Sequence, residues 1–442
     1  MSYERLLPHI IEFVQIEDRF IKNEALDFAK LSFYDWLIVS CAGKNEPVAQ
    51  IIRDYVSSES GVEIATVTGS SRKFPARAAA LANGTISHAL DYDDTHFLYV
   101  GHPSVAIFPS VLAVAQELNV TIESICKAFL IGAEVACRIG LALGRKHYNA
   151  GFHQTATSGC FGATAALARL YKFNERELRM ALGLASTKAS GLKSQFGTMG
   201  KPYNAGVAAA NAVEACWLAQ KGFTSAYDGI GGFQGYLLSH HSMDPRDIKI
   251  SLEIGHTDFK FVDIKYKLHA CCHGTHAMIE ALKTVIEKNE LTADNISQLL
   301  VVVNPRWLSV CNIQKPKTGL EIKFSFSFIA AMVFYQIDTA SPKVYNDKLC
   351  QNEKIVALAE KVEVSAKDSL HDGQTILSVI TKNGKTFEAK FDIMKPINKS
   401  ELKDRLLSKA ETLVGNRKAN NIWKTLTESD NSRADEIAHF LI

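Results

Sequence analysis

The alternation of apolar and polar positions divides the chain into two textures. From about residue 22 to 245, apolar residues recur at helical spacing. The pattern runs through KNEALDFAKLSFYDWLIVSCAG, PSVAIFPSVLAVAQEL, TIESICKAFLIGAEVACRIGLALG, CFGATAALARLY, ERELRMALGLAS and NAGVAAANAVEACWLAQKG. The first of these ends on Gly43, a residue suited to a C-cap. Several are rich in Ala and Gly, which lets helices approach closely, so a tightly packed helical bundle is expected. Near residue 258 the texture changes. FKFVDIK, SQLLVVVN, KVEVSA, TILSVIT and TFEAKFD are short β-branched runs, and the last two flank Asn383-Gly384 as a hairpin would. HAMIEALKTVIEK and FSFSFIAAMVFYQ read as helices between them. After Pro396, NKSELKDRLLSKAETLVG predicts a further helix with Asn398 or Ser400 as its N-cap. The fold class predicted is mostly α with an α+β second domain. An all-helical domain is expected over 1–260, a smaller α+β lid domain over 261–396, and C-terminal helices over 397–442 that rejoin the first.

At 442 residues the chain is too long for one ordinary core, which agrees with two domains. A formal net charge of +2 and the lack of a basic stripe with interleaved aromatics argue against nucleic acid as a partner. The opening MSYERLLPHIIEFVQIEDRF carries charge throughout, unlike a signal peptide. The most apolar stretch, FPSVLAVAQEL, is too short for a membrane span. Nine cysteines without a regular framework suit reduced thiols, so a cytoplasmic protein without membrane contact is expected.

Four polar islands interrupt the apolar texture. HALDYDDTHFLYVGHPS packs histidines and aspartates together; His88 and Asp91 would share a helix face if the helix extended that far. Pro103 is placed to open the next helix, whose N-terminus is a ready anion site. Asp94 reads as a capping residue. RKHYNAGFHQTATSG places Tyr148 and His153 in a turn between apolar helices. KASGLKSQFGTMGKPYNAG carries Lys201, expected to be extended because it precedes Pro202 and suited to hold a carboxylate. KYKLHACCHGTHAMIEAL carries Lys265, Lys267, His269, Cys272, His273 and His276. It lacks the Glu of a zinc-peptidase helix, and Cys272 as a nucleophile would need one of these histidines as base. His269 and His276 are expected to be core residues. No metal motif, phosphate loop or dinucleotide fingerprint is recognised. Imidazoles, carboxylates, lysines and a tyrosine without a cofactor are the kit of proton transfer next to a carboxylate, and the cations suit a small polycarboxylate substrate.

Several blocks together resemble the MmgE/PrpD family, which includes 2-methylcitrate dehydratase, cis-aconitate decarboxylase and iminodisuccinate epimerase. They are NGTISHALDYDDTH with GHPSVAIFPSVLA, GFHQTATSGCFGATAALARL, GTMGKPYNAGVAAANAVEACWLAQKGF, ACCHGTHAMIEAL and PKTGLEIKFSFSF. The resemblance implies a homodimer, a helical domain built from both chain ends, an α+β lid, and metal-independent chemistry. It implies site roles for Asp91, Thr95, His102, His153 and Lys201. It places Cys272 where the decarboxylase branch has a histidine, with His273 beside it, and Val310 or Cys311 where that branch has a tyrosine. Both departures point away from cis-aconitate decarboxylase. The epimerase-like branch implies an opposed acid–base pair, here Tyr148 with Lys267, or Lys265 in its place. The expected activity is cofactor-free proton abstraction next to a carboxylate, leading to dehydration or epimerisation. The alternatives are decarboxylation of cis-aconitate, or a non-catalytic relative that binds a metabolite. The expected roles are Tyr148 and Lys267 as acid and base, His102, Lys201 and His273 holding carboxylates, and Asp91 and His153 tuning protons, with Thr95 and Cys272 lining the site and no metal.

Overall fold

The computed structural model describes residues 6–59, 61–240, 259–428 and 432–442. The chain forms two compact units: Met1–Tyr266 with Val414–Ile442, and Lys267–Leu413.

The first unit is helical. Its helices are α1 (Leu6–Val14), α2 (Asn23–Gly43), α3 (Pro47–Ser57), α4 (Ala76–Ser87), α5 (Pro103–Leu118), α6 (Ile122–Asn149), α7 (Gln154–Tyr171), α8 (Glu175–Lys188), α9 (Gly200–Gln220) and α10 (Tyr236–His240). Helices α4, α5, α6, α7 and α9 pack on one another. The small residues permit this closeness: a Cβ on Gly84 of α4 would lie 2.6 Å from the Cα of Gly206 in α9. At the centre Phe33, Phe108 and Phe129 stack face to face, with centroids 4.6 and 3.8 Å apart, and Phe261 meets Phe129 edge-on at 5.3 Å. The run FKFVDIK is therefore not a strand. It forms a 3₁₀ turn over Lys260–Asp263, with Phe261 buried in the aromatic stack and its N–H donated to the buried Glu134 carboxylate at 2.9 Å. Lone apolar runs do not distinguish a strand from a buried turn, and here tertiary packing chose the turn.

The second unit holds α11 (His276–Asn289), α12 (Arg306–Val310), α13 (Gly319–Ile322), α14 (Phe326–Phe334), α15 (Glu353–Ala359) and α16 (Lys399–Val414). Its four strands are β1 (Ile296–Val303), β2 (Val362–Ala366), β3 (Gln374–Thr381) and β4 (Thr386–Asp392), in the order β2-β1-β3-β4. β1 pairs parallel with β2 and antiparallel with β3, and β3–β4 is the hairpin expected at Asn383-Gly384. Burial alternates strictly along β3, so one face of the sheet is dry, and α11 packs against β3 and β4. Asn398 caps α16 by accepting the Ser400 N–H at 2.8 Å. The texture of the sequence sends the chain back to the first unit at 397. In the structure α16 stays with the second unit, where Arg405 pairs with Glu280 of α11 at 2.5 Å. Only the last two helices, α17 (Asn416–Thr427) and α18 (Ala434–Ala438), return, and α17 packs on α2. All nine cysteines are free thiols, most of them buried. Among the described residues no helix is long and apolar enough to cross a membrane.

Candidate active site

Helix α4 ends at Ser87, and the loop from His88 to the start of α5 carries the first polar island. The helix face expected for His88 and Asp91 does not form, because Asp91 turns left-handed with φ 50°. Aspartate tolerates that conformation; valine does not, yet Val100 adopts φ 54° in the same loop. Next to it, a Cβ on Gly101 would lie 2.3 Å from the Tyr99 ring and 2.9 Å from the Thr155 backbone nitrogen. A loop held in unfavourable conformations by tight packing is a common feature of functional sites.

Asp93, fully buried, stands at the centre. Its Oδ1 lies 2.8 Å from His88 Nδ1 and its Oδ2 lies 2.9 Å from His102 Nδ1. The same His102 nitrogen lies 2.8 Å from the Asp94 carbonyl. Both neighbours only accept, so Nδ1 carries the hydrogen and Nε2 of the neutral ring presents a lone pair. That Nε2 lies 3.6 Å from Asp91 Oδ1, and Asp91 Oδ2 binds Lys201 Nζ at 2.6 Å. Burial lowers the His102 pKa more than Asp93 restores it. For Asp93 the two imidazoles outweigh burial, and its carboxyl falls well below the usual carboxylate range. An ionised Asp93 beside a neutral His102 accounts for both directions.

His153 caps the start of α7 and is 2% exposed. Its Nδ1 faces the Asn204 side-chain NH₂ at 3.1 Å, and that NH₂ also lies 3.3 Å from the Leu192 carbonyl, which fixes the amide's orientation. The His153 Nδ1 therefore accepts, and the hydrogen sits on Nε2. Burial, reinforced by His88, Lys201 and His102, holds its pKa well below the ordinary value, so this ring is neutral too. The site thus contains two neutral imidazoles of opposite tautomer: His102 with a free acceptor, His153 with a free donor. Phe196 lies edge-on to His153 at 5.0 Å, and the Lys201 ammonium stands 5.2 Å from the centre of the Phe196 ring. Lys201 itself is helical, not extended. Pro202 lies in the first turn of α9, where its missing N–H costs nothing.

Of the other expected residues, Thr95 exchanges backbone hydrogen bonds with Lys265 at 2.7 and 2.8 Å. Tyr148 lies in the last turn of α6, beyond a break at Gly144. Lys193 spans it, with its ammonium 3.7 Å from the ring centre and 3.0 Å from the Tyr148 carbonyl. Lys267, Cys272 and His273 belong to the second unit. Lys267 is 3% exposed. Cys272 precedes the 3₁₀ turn His273–Thr275, with its N–H donated to the Lys323 carbonyl at 3.0 Å. His273 lies 4.6 Å from His276, whose buried Nε2 has no hydrogen-bond partner. His269 is structural: its ring nitrogens bond to Thr339 Oγ1 at 2.7 Å and Glu280 Oε1 at 2.8 Å. Sequence reasoning singled out neither Asp93 nor Asn204 as a site residue. The density of HALDYDDTH pointed toward Asp93, whereas nothing local marked Asn204.

His88, Asp91, Asp93 and His102 bring ligand atoms within 4.8 Å of one another, a donor set several divalent ions accept. The Lys201 ammonium already sits on Asp91, where a cation would face it at close range. Asp93 Oδ1 accepts from His88, while its buried Oδ2 makes no hydrogen bond.

The chain thus has a helical unit that carries a buried carboxylate–imidazole pair, a second imidazole donor and a lysine, and a separate small α+β unit. Residues 10–246 match the MmgE/PrpD N-terminal domain and residues 269–430 the MmgE/PrpD C-terminal domain. The chain belongs to the MmgE/PrpD family, a family of enzymes. It is 26% identical to a cis-aconitate decarboxylase of Aspergillus terreus over 96% of this chain and 89% of that protein. It is 23% identical to the Homo sapiens cis-aconitate decarboxylase over 92% of this chain and 86% of that protein. A cis-aconitate decarboxylase-like protein of Aspergillus oryzae is 26% identical over 60% of this chain and 58% of its own length. The two cis-aconitate decarboxylases are, by that name, lyases.

Proposed function

We propose that the protein abstracts a proton from the carbon next to a carboxylate of a small di- or tricarboxylate, without a cofactor. The observation that supports this most directly is the opposed tautomers of His102 and His153 beside Lys201. In this reading Lys201 and the His153 Nε2–H hold the substrate carboxylate. As the proton leaves, negative charge moves onto that carboxylate, and the two donors stabilise it more in the transition state than in the ground state. The His102 Nε2 lone pair takes the proton, and Asp93 stabilises the imidazolium that forms. Loss of a β-hydroxyl then gives an alkene, which is dehydration. Return of a proton to the opposite face gives epimerisation.

The named relatives favour decarboxylation of cis-aconitate. Two features favour the base-first reactions instead. His102 is held neutral, ready to accept a proton before it can give one. The resemblance puts Cys272 at the position of a decarboxylase histidine and Val310 or Cys311 at that of a tyrosine. The test is incubation in D₂O with 2-methylcitrate, citrate, cis-aconitate, malate and iminodisuccinate, followed by NMR. Deuterium at the α-carbon with a new alkene identifies a dehydratase, and a changed diastereomer ratio an epimerase. Carbon dioxide release overturns the base-first preference. Exchange that appears only after a divalent metal is added overturns the cofactor-free mechanism.

A further inference from the structure

Of the nine thiols, Cys272 and Cys350 are partly exposed and the others are buried. Cys350 is poorly placed to react, because burial and the carboxylates of Asp347 and Glu321 push its thiol up. Cys272 stands in different surroundings. It directly precedes the 3₁₀ turn His273–Thr275, which runs on into α11, so it occupies the N-terminal end of a helix. Lys267, 3% exposed, is near enough for its ammonium to favour the thiolate form at both Cys271 and Cys311. A helix N-terminus and a nearby lysine are two of the features that make a cysteine reactive.

A second thiol lies beside it. Cys311, fully buried just after α12, hydrogen-bonds through its thiol with the thiol of Cys272. Main-chain contacts hold the two together. The Cys272 N–H is donated to the Lys323 carbonyl at 3.0 Å, and three residues along the same segment Phe326 donates its N–H to the Cys311 carbonyl at 3.1 Å. The Trp307 ring of α12 lies against Gly274, where a Cβ would meet it at 2.4 Å, so α12 sits directly on the turn that follows Cys272. Burial, reinforced by the hydrogen bond to Cys272, holds the Cys311 thiol well above its ordinary range. Cys311 therefore keeps its proton and donates it to the Cys272 sulfur, and the more accessible Cys272 is the one to ionise. Cys271 is not equivalent. It is buried, its thiol is pushed up to about 11, and its Sγ is engaged with Thr275 Oγ1 at 3.1 Å.

We propose that Cys272 and Cys311 form a peroxide-reactive dithiol: hydrogen peroxide oxidises Cys272 to a sulfenic acid, and Cys311 closes it to an intrachain disulfide. In the first step the Cys272 sulfur attacks one peroxide oxygen. An S–O bond forms, the O–O bond breaks, and the departing hydroxide takes up the proton that Cys272 gave up, leaving as water. In the second step the Cys311 sulfur attacks the Cys272 sulfur. An S–S bond forms, the S–O bond breaks, and the hydroxide leaves as water with the Cys311 proton. Two thiols together lose two electrons, and one peroxide is reduced to two waters. The buried partner spares Cys272 from the irreversible sulfinic acid, since the disulfide is reopened by thiols. Both cysteines lie in the second unit, and the proposal does not depend on the reaction assigned above.

The test treats the reduced full-length protein with hydrogen peroxide, blocks the remaining thiols by alkylation, and maps peptides by mass spectrometry. Wild type should lose two hydrogens, join the peptide of Cys272 to that of Cys311, and recover both thiols on addition of dithiothreitol. Cys350 should still be alkylated at the peroxide dose that closes the disulfide. Cys311→Ser leaves Cys272 without a partner, so dimedone should trap a sulfenic acid there and excess peroxide should carry it on to sulfinic acid. Cys271→Ser should still form the disulfide, and Cys272→Ser should not, which distinguishes the two adjacent cysteines. A wild type whose Cys350 is oxidised while Cys272 stays reduced would overturn the reactive site, whether or not the variants fold. So would a disulfide that survives Cys272→Ser or disappears in a folded Cys271→Ser. A sulfenic acid on Cys272 of wild type with no link to Cys311 would overturn the resolving role.

Discussion

Asp93→Asn isolates the charge on which the cluster is organised. Asp93 lies between two imidazoles in a place closed to solvent: its Oδ1 accepts from His88 Nδ1 at 2.8 Å, and its Oδ2 lies 2.9 Å from His102 Nδ1, which hydrogen-bonds to the Asp94 carbonyl. Asparagine offers one acceptor and one donor. One imidazole N–H must then meet an NH₂ group, leaving a buried donor unsatisfied at about 1–3 kcal/mol, or its ring must change tautomer. The other contact loses charge assistance, about another 1.5–3 kcal/mol. Allowing for partial relaxation, about 3–5 kcal/mol of support for the His102 imidazolium disappears, which converts to a fall in kcat of roughly 10²- to 10⁴-fold. The corresponding Asp→Asn change in a serine-protease triad acts through the same tautomer error and costs about 10⁴-fold. The assay is solvent-exchange or turnover kinetics on whichever substrate of the D₂O panel reacts, with ¹⁵N histidine spectra reporting the His102 tautomer. KM should change little, because Asp93 is closed to solvent and acts through His102 rather than on the substrate. A folded Asp93→Asn protein that kept kcat within about threefold, or a His102 that kept its Nδ1–H form, would refute the tautomer mechanism.

Lys201→Ala should raise KM more than it lowers kcat if the ammonium holds a carboxylate equally in ground and transition states; a collapse of kcat at constant KM, read from steady-state kinetics, would assign it to proton transfer. Gly101→Ala drives a methyl group to 2.3 Å from the Tyr99 ring and 2.9 Å from a backbone nitrogen, so thermal denaturation should show a loss of about 1–3 kcal/mol. Glu280 is held at a pKa of about 2, because His269 and Arg405 outweigh its burial. A depressed folded pKa means its contribution is fully present above the unfolded value and fades as pH falls toward about 2, so Glu280→Gln should remove about 3 kcal/mol of acid-sensitive stability in denaturant titrations near neutral pH and none at the acid end.

The elements whose pattern is local were legible in the sequence. Helical spacing gave α2, α5, α6, α7 and α9. The Asn383-Gly384 turn between alternating runs gave the β3–β4 hairpin. Pro103 at the first position of α5 and Asn398 as the cap of α16 followed from backbone chemistry alone. The composition of HALDYDDTH marked the place where carboxylates and imidazoles gather. Local chemistry decides such features, because each depends on residues a few positions apart.

Tertiary structure decided the rest. FKFVDIK has the composition of a strand and became a turn, because Phe261 completes an aromatic stack whose other members lie more than a hundred positions away. Lys201 was placed in a helix and paired with Asp91 across about as long a stretch of chain. The tautomers of His102 and His153 depend on a carbonyl eight residues upstream and on Asn204 fifty-one residues downstream. Which aspartate lies between the histidines, which turns to face the lysine, and which turns to the start of α5 could not be read from Asp-Tyr-Asp-Asp. Residue type fixes which proton chemistry a side chain can perform. Burial and neighbouring charge fix which protonation state it holds, and both arise only when distant segments pack together.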